Sequence, residues 1–262
     1  MAMDRLENLK NIIMYLMADE HVSHRIPSTL EERQRMMRAL INVWEPRPIS
    51  EDFLKMQDAE LQMQREDKGV VSLKDMAAAN SSLFTFHSSL LLWQGDITRL
   101  KVDAIVNAAN AQALGCWAPL HNCIDNCIHS AAGIQLRKEC ADTMQGRLLA
   151  TGDAFITKGY NLPAKHVIHT VGPIIPDGIP TKEQEEQLAQ CYRSCLDLAE
   201  QNGLESIAFC CISTGVFHFP NEQAARIAIE TVKSYPRHAL KTIVFNVFLD
   251  KDRDIYQQLL RA

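Results

Sequence analysis

The sequence contains no long uninterrupted apolar run. No run approaches the ~20 residues that a membrane-spanning helix needs, although 47% of the 262 residues are hydrophobic. The first segment also lacks the apolar core of a secretory signal, because Asp4, Arg5, Glu7 and Lys10 occupy that position. These absences predict a soluble, cytoplasmic protein that does not bind a membrane.

An excess of positive charge is also missing. The formal net charge is −5, so the surface has no general attraction for phosphate backbones or anionic lipids. The sequence shows neither a basic stripe nor the interleaved basic and aromatic residues of many nucleic-acid-binding proteins. We therefore do not expect nucleic acid as a partner.

The chain does not need disulfide bonds. It contains eight cysteines, but a chain of this size without a secretion signal can bury its core without cross-links. The last four cysteines fall within helix-like or strand-like apolar patterns, where a cysteine acts as a small buried hydrophobic residue. Only Cys116 and Cys123, with a histidine between them, suggest chemistry.

Residues 1–79 predict an all-helical N-terminal extension that packs on a larger domain. This region has no glycine before Gly69 and no strand pattern. Ser28 with Glu31 three residues later is the signature of a capping box, which starts a helix. The predicted helices cover residues 4–18, 28–44 and 51–65.

Residues 80–262 alternate between strand and helix patterns, which predicts a three-layer α/β/α domain with a mostly parallel sheet. A tight turn at Gly159 predicts one antiparallel neighbour, so the sheet should be mixed. The predicted strands cover residues 89–93, 104–106, 154–157, 166–170, 207–212 and 242–248. The predicted helices cover residues 124–143, 182–202, 222–234 and 253–261.

The strand at residues 104–106 ends in polar residues. Buried parallel strands are continuous apolar runs, and ligands of α/β sheets bind just beyond the carboxyl ends of the strands. Asn107 and Asn110 follow the apolar run and carry both donors and acceptors that could orient a ligand. The sequence therefore predicts a binding site at this strand end.

Six short motifs of the larger domain together resemble the macrodomain family, which binds ADP-ribose. They occur in the family order and cover nearly all of residues 90–250. The motifs are GDIT at 95–98, VDAIVNAAN at 102–110, IDNCIHSAAG at 124–133, GDAFIT at 152–157, HTVGP at 169–173 and STGVF at 213–217. The resemblance implies a macrodomain over residues 80–262.

One segment departs from the common macrodomain pattern. Cys116, His121 and Cys123 stand where these proteins often carry a glycine-rich run. This arrangement resembles the zinc-dependent branch of the family, which implies one zinc ion per chain. Three protein ligands favour a catalytic zinc, because structural zinc usually has four. Cys127 shares a helix face with Cys123 and could complete a four-ligand structural site, so this alternative stays open.

The resemblance also implies the contacts with ADP-ribose. Asp96, with Ile97 beside it, would bind the adenine, although an aspartate here could equally cap a turn or a short helix. The loop at 213–217 would hold the diphosphate at a helix N-terminus. Phe248 would cover the adenine or pack in the core. The implied ADP-ribose contacts are Asp96, Ile97, Asn110, Cys116, Ser213, Thr214, Gly215, Val216 and Phe217.

The catalytic residues implied by the resemblance are Asn110, which would orient the distal ribose, and Asp125. Asp125 matches an aspartate that is proposed to activate water in zinc-free hydrolytic macrodomains. At the first turn of a helix it could equally interact with the helix dipole. Cleavage at an anomeric carbon develops oxocarbenium character, which a carboxylate stabilises. His166, His169 and His218 are expected to pack or to form hydrogen bonds.

These observations predict a glycosidase-type hydrolase that removes mono-ADP-ribose from protein side chains with the help of Zn²⁺. The alternatives are a non-catalytic ADP-ribose reader with a structural zinc and an O-acetyl-ADP-ribose deacetylase. ADP-ribose would be the product. The resemblance further implies an ADP-ribosylated protein substrate, which in microbial members is a lipoyl-carrier protein similar to glycine cleavage protein H.

Overall fold

The computed structural model describes residues 4–79 and 89–261 of the chain. A helical extension packs against an α/β domain, as predicted. The predicted boundary between residues 79 and 80 adjoins residues 80–88, which lie outside the described residues, so the boundary stays a prediction. Among the described helices, none is both long and apolar enough to cross a membrane.

The extension contains three long helices, α1 (Arg5–Asp19), α2 (Leu30–Val43) and α3 (Glu51–Lys68). Their apolar faces form a core of their own, centred on Trp44 and Phe53 and joined by Ile134 of the larger domain. After them come two short elements that the sequence did not predict, β1 (Val71–Ser72) and α4 (Leu73–Ala79). The extension is therefore helical except for a two-residue strand.

The predicted capping box of α2 was wrong by one residue. The side chain of Thr29, not Ser28, accepts a hydrogen bond from the backbone N–H of Glu32, at 3.3 Å. The sequence contains two such signatures one residue apart, because Glu31 and Glu32 follow Ser28 and Thr29 at the same spacing. Local sequence could not distinguish them.

The main sheet has six strands in the order β2-β8-β7-β4-β6-β5, and a second sheet pairs β1 with β3. Every pair in the main sheet is parallel except β5 with β6, so the predicted mixed, mostly parallel sheet is confirmed. The strands are β2 (Leu90–Gln94), β3 (Leu100–Lys101), β4 (Ala104–Ala108), β5 (Ala154–Lys158), β6 (His166–Thr170), β7 (Ser206–Phe209) and β8 (Thr242–Val247).

Helices cover the main sheet and bury the apolar side chains of its strands. The helices of this domain are α5 (Ile124–Ala132), α6 (Ile134–Met144), α7 (Lys182–Gln201), α8 (Asn221–Ser234) and α9 (Asp250–Arg261). A short 3₁₀ helix, Ile97–Arg99, follows β2.

Two predicted elements end earlier than expected. The single helix predicted at 124–143 is broken at Gly133, whose φ is +98° and where a Cβ would lie 2.7 Å from Gln57 Nε2. A glycine avoids both the backbone strain and the clash. The strand predicted to reach Ile212 ends at Phe209, and the chain then turns into a loop at Ser213, whose φ is +65°.

Asp103 joins the amino ends of β4 and β7. Its Oδ2 accepts hydrogen bonds from the backbone N–H groups of Glu205 and Ser206 and from the Ser206 hydroxyl, each at 3.0 Å. Lys165 Nζ lies 2.7 Å from its Oδ1. Burial raises the pKa of Asp103, but these hydrogen bonds and the lysine charge outweigh it and leave the pKa below its ordinary value.

We expect Asp103→Ala to lower the free energy of unfolding by about 1–2 kcal/mol at neutral pH, because it leaves the partly buried donors of Ser206 and the exposed N–H of Glu205 without this acceptor. The folded-state pKa is lowered, so this contribution is present above the unfolded pKa of about 3.9 and lost as the pH falls through the folded value. Urea unfolding of both proteins at several pH values measures this contribution to the free energy of unfolding. Asp142→Ala removes an exposed ion pair with Lys138 and should change stability by less than about 1 kcal/mol.

Candidate active site

A cleft of about 610 Å³ opens beyond the carboxyl ends of the parallel strands, where α/β sheets bind their ligands. Its volume suits a small organic ligand. Among the predicted residues, the cleft brings together Asn110, Cys116, His121, Cys123, Asp125 and residues 213–217. Asn221, Asn246, Phe248 and Asp252 also line it.

The loop at residues 213–217 connects the end of β7 to α8 and contributes backbone donors. In the described part of the chain, the N–H groups of Gly215, Val216 and Phe217 donate to no protein acceptor. Ser213 approaches Gly172 so closely that a Cβ on Gly172 would lie 2.0 Å from Ser213 Oγ. Free backbone N–H groups before a helix form an arrangement that binds anions.

Cys116, His121 and Cys123 converge at the mouth of the cleft. Their donor atoms all lie within 4.8 Å of one another, and Cys116 Sγ is 3.5 Å from His121 Nδ1. Burial raises the pKa of the Cys123 thiol to about 12. A bound metal cation reverses this preference, because a coordinating thiol is deprotonated. Two thiols and an imidazole form a donor set that can hold a metal ion.

Cys127 lies away from this group. Its Sγ is 3.9 Å from Arg38 Nη2, and it lines a second cavity, of about 220 Å³, between the extension and α5. It is absent from the cluster of donor atoms formed by the other three residues. The four-ligand arrangement that the spacing of Cys123 and Cys127 allowed is therefore not present in this structure.

Asp125 lies in the first turn of α5 and is buried beneath the cleft. Its Oδ1 accepts a hydrogen bond from Asn107 Nδ2 at 2.7 Å, and its Oδ2 lies 3.4 Å from Asn110 Nδ2. Burial raises the pKa of Asp125 to about 6, although the Asn107 hydrogen bond and the charge of Arg137 lower it. The two asparagines fix the orientation of this carboxylate.

Asn107 does not line the cleft, contrary to the prediction that it would orient a ligand. Its side chain is fully buried and contacts Asp125 and the ring of His169, whose Nδ1 is 3.2 Å away. His169 Nε2 in turn lies 3.0 Å from the hydroxyl of Thr157. Because the side chains of a strand alternate between its two faces, the end of an apolar run does not reveal which polar residue points to the ligand.

Asp96 and Ile97 lie outside the lining of the main cleft. Asp96 caps the short 3₁₀ helix, with its Oδ1 3.0 Å from the backbone nitrogen of Thr98, and it lines the second cavity. Lys68 Nζ of α3 lies 3.5 Å from its Oδ2, and Ile97 is buried. The contact of Asp96 and Ile97 with adenine stays a prediction.

Sequence reasoning missed three residues that support the site. Arg38 and Asn42 of α2 and Arg137 of α6 contact the backbone of the segment that carries the metal-type ligands. It also missed Asp252, a carboxylate that lines the cleft near Phe248. A buried arginine such as Arg137 has no local sequence signature, because its partners lie far away in the chain.

The fold is an α/β domain with a cleft beyond its parallel strands, and this cleft is lined by backbone N–H groups without protein acceptors among the described residues and by the Cys116, His121 and Cys123 donor group. The macro domain family model matches residues 106–228. A protein-ADP-ribose hydrolase of Staphylococcus aureus is 45% identical, over 98% of this chain and 97% of that protein. The chain therefore belongs to the macro domain family.

Solved structures show the same fold. A mutant macrodomain of Oceanobacillus iheyensis with ADPR is 40% identical, with a TM-score of 0.59 over 66% of this chain and 91% of that chain. A Trypanosoma brucei macrodomain in complex with ADP-ribose is 33% identical, with a TM-score of 0.62 over 81% of this chain and 91% of that chain.

Proposed function

We propose that this chain removes ADP-ribose from modified proteins and that a zinc ion held by Cys116, His121 and Cys123 takes part in the reaction. The hydrolase activity is supported by relatives named protein-ADP-ribose hydrolase that match nearly the whole chain. The single observation that carries the role of zinc is the convergence of three donor atoms at the mouth of the cleft.

The donor geometry supports zinc at this position. With Zn–S of about 2.3 Å and Zn–N of about 2.0 Å at a tetrahedral angle, sulfur and nitrogen would lie about 3.5 Å apart. Cys116 Sγ and His121 Nδ1 are 3.5 Å apart. Cys127 lies outside this cluster of donor atoms, with its thiol 3.9 Å from Arg38 Nη2. Three ligands leave one coordination position open, as in catalytic zinc sites.

The residues of the cleft bind and orient the substrate. The free N–H groups of the 213–217 loop hold the diphosphate, and Phe248, a residue that is 71% exposed and lines the cleft, covers the adenine. Asn110 orients the distal ribose. We propose that these contacts bring the anomeric carbon near Asp125 and the metal-type ligands; the proposal is supported by the fact that all these residues line one cleft.

In the proposed reaction, the protein and the metal ion have different roles. Asp125, held by Asn107, stabilises the positive charge that develops at the anomeric carbon when the bond to the protein side chain breaks. A zinc ion held by Cys116, His121 and Cys123 would supply Lewis-acid chemistry. One water is consumed: its hydroxyl is added to the anomeric carbon and its proton goes to the released side chain, so that the products are ADP-ribose and the unmodified protein.

The protein substrate itself is also a proposal. A lipoyl-carrier protein similar to glycine cleavage protein H remains the predicted substrate, and the cytoplasm the predicted location. The described residues contain no helix able to cross a membrane.

The proposal is tested by incubating the protein with a mono-ADP-ribosylated protein and following the release of labelled ADP-ribose. Calorimetry with ADP-ribose measures binding separately. We expect release with multiple turnovers. Binding of ADP-ribose without release from aspartate-, serine- or arginine-linked substrates would instead define a reader. Turnover of O-acetyl-ADP-ribose alone would define a deacetylase.

A further inference from the structure

The segment that carries His121 is bound to the N-terminal extension through its backbone. Residues 115–122 form neither helix nor strand. Arg38 Nη2 of α2 donates a hydrogen bond to the carbonyl of His121 at 2.7 Å. Asn42, one helical turn further along α2, accepts from the N–H of Leu120 at 2.9 Å. Leu120 has a φ of +59°, a conformation that a non-glycine residue holds only when its surroundings fix it.

Arg38 also reaches the helix that begins at Cys123. Its Nη2 and Nε donate to Asn126 Oδ1 at 2.8 and 3.3 Å. Asn126 is fully buried, and its Nδ2 donates to the carbonyl of Ala118 at 3.0 Å. Its backbone nitrogen lies 3.5 Å from Cys123 Sγ. The guanidinium of Arg38 therefore contacts two parts of the site. One is the backbone carbonyl of His121, and the other is the side chain of Asn126, which in turn donates to the carbonyl of Ala118.

The start of the segment has a similar attachment. Arg137 of α6 lies with its Cζ 4.1 Å from the ring centroid of Trp117, and its Nη2 is 3.4 Å from the carbonyl of Cys116. The Nη1 of the same guanidinium donates to the carbonyls that end α2, those of residues 41, 42 and 44. Hydrogen bonds thus connect all three donor residues to α2. His121 is bonded to Arg38, and its neighbour Leu120 to Asn42; Cys123 is connected through Asn126, and Cys116 through Arg137.

We infer that α2 is part of the active site, and that Arg38 and Asn42 are positioning residues that hold His121 at metal-binding distance from Cys116 and Cys123. This inference rests on the proposed function, since it assumes that these three residues bind the metal. Residues that orient metal ligands contribute strongly to metal affinity, and a charge-assisted bond to a carbonyl holds its partner more firmly than a neutral one. The extension would then complete the metal site of the larger domain.

The test uses the full chain in metal-free form, titrated with Co²⁺ and followed by the absorption of thiolate-bound cobalt. The variants are Arg38→Ala, Arg38→Lys and Asn42→Ala. Arg33→Ala is the matched control: Arg33 is on the same helix and donates to the carbonyls of Pro27 and Leu6 within the extension, at 2.7 and 2.5 Å. Thermal unfolding of the metal-free variants measures any general loss of stability.

We expect Arg38→Ala and Asn42→Ala to raise the dissociation constant for Co²⁺ about ten- to a hundred-fold and to change its absorption spectrum. Arg38→Lys should recover part of the affinity, and Arg33→Ala should bind Co²⁺ as the unmodified protein does, even where its unfolding temperature falls. Unchanged affinity and spectrum in Arg38→Ala and Asn42→Ala would overturn the inference. If the unmodified protein and Cys116→Ala bound Co²⁺ equally, the proposed metal site itself would fail.

Discussion

Replacing Cys116 or His121 with alanine is expected to abolish hydrolysis while leaving most of the affinity for ADP-ribose. Each substitution leaves only two of the three donors that converge at the mouth of the cleft. A metal Lewis acid supplies several kcal/mol of transition-state stabilisation, and about 1.4 kcal/mol is a tenfold change in rate. The rate of ADP-ribose release should therefore fall by about a thousand-fold or more.

ADP-ribose affinity should persist because the 213–217 loop, which lines the same cleft, would contribute its contacts through backbone groups that neither substitution removes. Single-turnover release assays and calorimetry measure the two effects separately. Cys127→Ala is the matched control, since Cys127 is close in sequence and also half-buried but lies outside the donor cluster. Full activity in a metal-free Cys116→Ala protein would contradict this account. So would a loss of zinc from Cys127→Ala.

Replacing Arg137 with methionine is expected to cause the largest loss of stability. Arg137 is 2% exposed, and burial lowers the pKa of its guanidinium to about 10, although nearby Asp125 and the cysteine thiols raise it. Its removal leaves the buried carbonyls at the end of α2 without a donor. Breaking a buried charged network of this kind costs about 3 kcal/mol or more.

For a chain of this length, such a loss corresponds to a fall in Tm of about 10 °C. Scanning calorimetry measures it. Arg193→Met is the control, because Arg193 is partly exposed on α7 and, within the described residues, its side chain pairs only with Glu186 and Gln190 of the same helix. An unchanged Tm in Arg137→Met would show that the end of α2 is held by its apolar contacts alone.

Much of the fold could be predicted because its signals are local. The apolar run of β4 and the helical spacing of α7 and α8 are contained in short segments, and each prediction agreed with the structure to within two residues. The errors occurred where local signals were ambiguous or incomplete. Two capping signatures compete at Ser28 and Thr29. A helical pattern also continues across Gly133, where the backbone takes a φ of +98° and ends the helix.

The candidate site was predicted only in part, for a similar physical reason. The spacing of Cys116, His121 and Cys123 is visible in a short stretch of sequence, and their donor atoms do converge. The bond from Arg38 to the carbonyl of His121 joins residues 83 positions apart, and it involves a backbone atom that no residue type identifies. The sequence therefore indicated the donor residues but not the side chains that orient them.

The most direct test of the central claim is the release of labelled ADP-ribose from a modified protein before and after removal of metal. Metal content is measured in the same samples. The account predicts that release stops when zinc is removed by a chelator and returns when one equivalent of Zn²⁺ is added. Unchanged release from protein verified to be free of metal would contradict it and would leave Asp125 and the substrate itself to carry the reaction.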